Sequence, residues 1–226
     1  GYDNKDVVEN LKAAGFLHLP MKPGYDISKE CRWISVLDLK GKTKEEIFKE
    51  FSYQTRQDIR TYEKYCVKTR VLNEDQLDVL DEMEKETSER QDFEAMSLDF
   101  YKDLYHFYGK SHIETVLSYL DLDAYAIKMQ SEFDKTSKDI EKTKTFLEQN
   151  PGNVKKEKRL KTDEEYYNSL QKKLSHIEEL KQEYGKEIPL ACCLFVKYGH
   201  QIVYLVGSSN YEHRVFRGPY AIQWKM

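Results

Sequence analysis

Three clusters in this chain of 226 residues have the charge or polarity to hold an anion. Arg56, Arg60 and Lys64 recur at i, i+4 and i+8, so in a helix they form one basic stripe. Guanidinium groups grip phosphate oxygens in bidentate geometry, and a solvated helix face is the alternative use of the same stripe. The run Lys155-Lys156-Glu157-Lys158-Arg159-Leu160-Lys161 concentrates positive charge beside the turn signal Asn150-Pro151-Gly152-Asn153. Such a cluster suits a nucleic-acid backbone or simple solubility. Gly207-Ser208-Ser209-Asn210 follows a strand-like run, and small polar residues in a loop there present backbone N–H groups to an anion or carbonyl.

Covalent and redox chemistry have no such support. The chain contains no Walker A sequence, no dinucleotide-binding glycine fingerprint, no H-E-x-x-H and no G-x-S-x-G. Its cysteines, Cys31, Cys66, Cys192 and Cys193, form no C-x-x-C pair, which argues against a zinc site or a disulfide scaffold and for a reducing compartment. Adjacent Cys192 and Cys193 in a strand point to opposite faces. The six histidines are scattered, with His200 in a turn and His176 on a helical run. No cofactor, no metal and no catalytic residue is named by these patterns.

Composition narrows the class further. Charged residues make up 34% and aromatics 13%, including 17 Tyr, so the chain folds despite a mean hydropathy of -0.78. A net charge of -4 gives no global field toward nucleic acid, so any such contact must come from local patches. No apolar run reaches the about 18 residues of a membrane span, and no signal peptide is visible. The chain opens on Gly1-Tyr2-Asp3 and stops at Gln223-Trp224-Lys225-Met226 inside a helical pattern, so both ends read as cuts.

The elements that must position these clusters follow from periodicity. Helices are expected over Asp6 to Ala14, from a Thr43/Glu46 capping box, over Tyr53 to Lys64, from an Asn73 cap to about Thr87, and over Leu98 to Tyr108. Ser88 to Phe93 reads as a loop. Strands are expected at Trp33 to Leu39, Val67 to Leu72, Ile113 to Leu122, Leu190 to Lys197 and Gln201 to Val206, the last two joined at Tyr198-Gly199-His200. Pro219 opens a final helix. Between the strands, Ala126, Phe133, Ile140 and Leu147 form one heptad ladder, and Leu160, Tyr167 and Leu174 form another, with Leu170, Ile177 and Tyr184 between its rungs. The order implies an α+β domain around a mixed sheet, with an inserted antiparallel helical arm.

In sequence the chain resembles the Fem family of peptidoglycan interpeptide-bridge aminoacyltransferases. The resemblance lies in Ser35-Val36-Leu37-Asp38-Leu39-Lys40, Thr55-Arg56-x-x-Ile59-Arg60, Thr87-Ser88-Glu89-Arg90-x-x-Phe93, Val203-Tyr204 through Ser208-Ser209-Asn210, and Gly218-Pro219-Tyr220-Ala221-Ile222-Gln223-Trp224. It implies acetyltransferase-like (GNAT-like) domains: 1–66 as the end of a first, 67–125 with 188–226 as part of a second, and 126–187 as a coiled-coil arm. It further implies transfer of Gly, Ala or Ser from aminoacyl-tRNA to the stem-peptide amino group of a lipid-linked precursor. That work belongs to the cytoplasm of a Gram-positive bacterium, at the inner face of the membrane, with peripheral membrane contact. By the same resemblance Arg56, Arg60, Arg90, Tyr204, Ser208, Ser209, Arg214 and Tyr220 bind substrate, while the positive cluster at the arm tip makes Lys155, Lys156, Lys158 and Arg159 the expected tRNA contacts. Relatives often carry an Arg where this chain has Met96, so that contact does not carry over. An acyl-CoA-dependent N-acetyltransferase and a non-catalytic coiled-coil interaction protein are the competing classes.

Overall fold

The computed structural model describes residues 5–18 and 34–226. They fall into two compact units, Gly1–Ile47 and Phe48–Met226. In the first, helix α1 (Lys5–Ala13) matches the expected helix to within a residue. The capping box holds: the Thr43 N–H donates to Glu46 Oε2 at 2.8 Å, and the Glu46 N–H to Thr43 Oγ1 at 3.3 Å, opening α2 (Lys44–Glu50). The strand expected over Trp33 to Leu39 does not form at residues 34–39, and Trp33 lies outside the described residues. Alternating apolar residues make a strand only beside a partner. No described strand pairs with this segment, which leaves Ile34 and Val36 more than three-quarters exposed.

The second unit is built on a four-stranded sheet: β1 (Val67–Val71), β2 (Ile113–Asp121), β3 (Glu187–Tyr198) and β4 (Gln201–Ser209), in that spatial order. Every described pairing is antiparallel, so the α+β class holds while the expected mixed sheet becomes a purely antiparallel one. Each connection reverses the chain, either through a hairpin turn or through helices that return antiparallel. Helices α4 (Asp78–Gln91) and α5 (Leu98–Tyr108) cover one face, burying Leu80, Tyr101 and Tyr105 against Leu117, Cys192 and Leu194. Helix α8 (Gly218–Lys225) covers the other, where Ile222 meets Val116, Cys193 and Phe195. The two neighbouring cysteines thus enter opposite cores. Gly218 permits this approach: a Cβ there would lie 2.5 Å from Leu190 Cβ and 2.8 Å from Ser118 Oγ.

Several boundaries differ from expectation: Asn73 caps only a 3-10 turn, Glu74–Gln76, so α4 begins at Asp78, and the first arm helix begins at Leu122 rather than Ala126. Helix α4 runs on through Ser88 to Gln91 because its hydroxyls are satisfied within the helix. Thr87 Oγ1 donates to Met83 O and Ser88 Oγ to Lys85 O, and left-handed Asp92 ends the helix. Residues 207–209 belong to β4 rather than to a loop: Ser208 pairs with Cys192 and Ser209 with Ala191. Gly207 allows the side chain of Tyr204 to fold across it, since a Cβ there would collide with Tyr204 Oη.

The arm consists of α6 (Leu122–Gln149) and α7 (Val154–Tyr184), packed side by side. Their partners run antiparallel: Asp123 with Lys181, Phe133 with Tyr167, and Lys144 with Glu164. The expected heptad positions Ile140, Leu170 and Ile177 are buried. The base of the arm is also domain core. Tyr125, Met129, Leu170, Ile177 and Leu180 share one cluster with Val67, Leu120, Ile188 and Phe216.

Candidate anion-binding site

The sequence clusters separate in space. On helix α3 (Tyr53–Lys64), Arg56 turns toward the backbone, and its Nη1 donates to Phe51 O at 2.5 Å and Lys49 O at 3.2 Å. It therefore satisfies two carbonyls that lie, like itself, within Phe48–Met226. Arg60 stays exposed, with its guanidinium 5.4 Å from the Phe48 ring centroid. Phe48 and Phe51 both pack on Trp224 of α8, at 5.7 and 5.8 Å.

Asp58 and Arg217, which sequence patterning does not single out, join α3 to α8. Asp58 is buried, and Arg217 Nε lies 2.9 Å from its Oδ1, an ion-pair contact whose angle is not that of a hydrogen bond. Gln54 Nε2 donates to the same carboxylate at 3.3 Å. Tyr220 joins this group: burial first, then the Asp58 charge, pushes its phenol above the usual range. Arg217 occupies the left-handed region at φ 59 and caps α8.

Arg90, Ser209 and Arg214 do come together, around Tyr211. The guanidinium carbon of Arg90 lies 5.0 Å from the Tyr211 ring centroid and that of Arg214 lies 4.1 Å from it. Arg90 Nη2 donates to Ser209 O at 3.3 Å, and Arg214 Nη1 to Tyr211 O at 3.0 Å. Thr87 Oγ1 accepts the Ser209 N–H at 3.3 Å, so α4 is tied to the end of β4. Neither arginine has a carboxylate within ion-pair distance among the described residues. Two uncompensated cations on one exposed ring are suited to an anion with more than one charge. Ser208 is buried, and its Oγ donates to Cys192 O at 3.1 Å. Tyr204 stands 50% exposed on β4 with its Oη 3.8 Å from Cys193 Sγ, and burial of the hydroxyl end raises its phenol well above the ordinary value.

The tip cations Lys155, Lys156, Lys158 and Arg159 occupy the start of α7, roughly 40 Å along the helix from its base. Lys156 packs 5.2 Å over the Phe146 ring, and Arg159 lies 3.4 Å from Asp163. At the base sits His213, buried, with Nε2 unpartnered and its ring edge-on to Tyr184 at 5.3 Å. Burial lowers its pKa below the ordinary histidine value. Among the described residues no group of His, Cys, Asp or Glu could hold a metal ion. Burial also raises both Cys192 and Cys193, which argues against either as a thiolate nucleophile. No described helix is long and apolar enough to cross a membrane.

The fold thus presents an antiparallel α+β domain with a helical arm and two arginines gathered on one ring at the end of β4. The FemAB family profile matches residues 1–226, and the chain belongs to that family. It is 29% identical over 220 residues to the aminoacyltransferase FemA of Staphylococcus epidermidis, covering 97% of this chain and 52% of that protein. Against FemA of Staphylococcus aureus strain MW2 it is 29% identical over 221 residues, covering 98% and 52%. The crystal structure of FemX superposes with a TM-score of 0.73 at 23% identity, covering 98% of this chain and 56% of that one, a likeness of fold. The chain thus spans about half the length of the curated relatives it matches.

Proposed function

We propose that this chain is part of an aminoacyl-tRNA-dependent aminoacyltransferase that adds Gly, Ala or Ser to the stem peptide of a lipid-linked peptidoglycan precursor at the cytoplasmic face of the membrane. The observation that carries this is the Arg90–Arg214 pair on Tyr211, at the end of β4, in a chain of the FemAB family. Both substrates carry phosphate, which such a pair recognises. An aminoacyl ester is already activated, so catalysis needs the ester and amine held together, an oxyanion stabilised and a proton released. The absence of a nucleophile–base pair from the sequence motifs agrees with that requirement. Arg60, Tyr204, Ser209 and Tyr220 belong to the same substrate-binding proposal. Arg56 and Ser208 enter it as positioning groups, given their bonds to backbone carbonyls. The GNAT-like assignment, the division at residue 66, and the arm as a coiled coil that contacts tRNA are parts of this proposal. The tip cations support the last: Lys155 and Lys156 lie in the first turn of α7, where the dipole disfavours a cation by about 0.3–1 kcal/mol.

The test is transfer of radiolabelled Gly, Ala or Ser from charged tRNA to the lipid-linked precursor by the full-length protein. Transfer is expected with one of the three. Charge reversal at Lys155, Lys156, Lys158 and Arg159 should weaken tRNA binding and flatten its salt dependence. Labelling from acetyl-CoA, or none from any charged tRNA, would overturn the proposal.

A further inference from the structure

We infer that Tyr211 is a positioning residue, whose ring gathers Arg90 and Arg214 into one preorganised site for adjacent phosphates; this rests on the substrate-binding reading above. The two arginines come from different elements. Arg90 is in the last turn of α4, and Arg214 opens the short 3-10 turn after β4. Like charges brought near one ring repel unless something offsets them. Here each guanidinium lies over the same π-face system, and each also gives one hydrogen-bonded arm to a carbonyl, Ser209 O or Tyr211 O. Arg90 Nη2 also reaches Thr87 Oγ1 at 3.5 Å. A guanidinium carries five N–H donors, so most donors of both groups remain for a ligand. Tyr211 itself is 55% exposed, so its ring is not part of the hydrophobic core. Its position is explained by what it holds.

The geometry sets a specific hierarchy among substitutions. The ring, not the hydroxyl, does the gathering, so Tyr211→Phe preserves the site and Tyr211→Ala releases both arginines to solvent. The probe is inorganic pyrophosphate titrated into the 226-residue chain and followed by NMR of the arginine side chains. Wild type and Tyr211→Phe should bind with dissociation constants within about twofold of each other, while Tyr211→Ala should bind about fivefold to tenfold more weakly at unchanged Tm. Arg90→Gln should lose binding at least as strongly. Equal affinity of wild type and Tyr211→Ala, or a loss in Tyr211→Ala that Tyr211→Phe shares, would overturn the inference. Competition then names the source of the phosphate. Displacement of pyrophosphate by the precursor in detergent assigns the site to the acceptor, and displacement by uncharged tRNA assigns it to the donor; displacement by neither overturns it. Failure of amino-acid transfer by the full-length protein, with pyrophosphate binding intact, would count against the proposed reaction and not against Tyr211.

Discussion

Removing the Arg217 side chain should destabilise the larger unit, and the replacement chosen should decide by how much. The Asp58 side chain is 6% exposed and that of Arg217 40%. Breaking a fully buried pair costs about 3–5 kcal/mol and an exposed one about 0.2–1 kcal/mol. With one partner buried and the other partly solvated, roughly 2 kcal/mol is expected for Arg217→Ala, because Asp58 then keeps only Gln54 and Tyr220 as polar neighbours. The backbone supplies a second term. Arg217 has φ 59, a conformation that costs a residue with a Cβ roughly 1–2 kcal/mol and glycine almost nothing. Arg217→Gly therefore loses the ion pair but sheds the strain, and should be about 1 kcal/mol more stable than Arg217→Ala. Urea unfolding followed by circular dichroism measures the difference, and a thermal scan should show Arg217→Ala lowered by about 4–8 °C. Arg217→Ala within about 0.5 kcal/mol of wild type would refute the role of the pair. Arg217→Gly below Arg217→Ala would refute the strain.

Two further outcomes follow from the base of the arm. His213 is buried beside Tyr184 and Phe216, with Glu183, Glu212 and His176 as the charged or titratable groups that act on it. Because burial lowers its folded pKa, the unfolded chain binds the proton more readily; stability is full above the ordinary value near 6.5 and falls as pH drops below it. His213→Phe should flatten the fall in stability below about pH 6.5, and an unchanged profile would remove His213 from the account. Trimming the arm to its base, by replacing 137–162 with a short glycine linker, should leave cooperative unfolding intact. Deleting 126–187 should abolish it, because Met129, Leu170, Ile177 and Leu180 leave the core. Equal melting of the two deletions would show the base to be dispensable.

Much of the architecture is written in local pattern. Helix α3 and helix α5 fall where their periodicity puts them, and the structure adds Ser52 and Ser97 as caps that accept the Thr55 and Phe100 N–H groups. The arm is equally legible, since a long heptad ladder broken by Asn150-Pro151-Gly152-Asn153 has few other ways to bury its stripe. The family follows from ordered motifs spread along the chain, each local and readable without coordinates. Local pattern fails where a neighbour decides. Residues 34–39 alternate like a strand but lack a described partner to pair with, and Gly207-Ser208-Ser209 looks like a loop until Cys192 and Ala191 supply the ladder. The basic stripe on α3 is a stripe in sequence, yet the carbonyls of Lys49 and Phe51 claim Arg56. Sequence separation hides the rest. Asp58 with Arg217, and Arg90 with Tyr211 and Arg214, are pairings across more than a hundred residues, made only when α8 and β4 dock on the helices flanking the sheet. Periodicity reports which side of an element is apolar, but the choice of partner for a lone charge is made by the packed fold, where desolvation and distance set the energy.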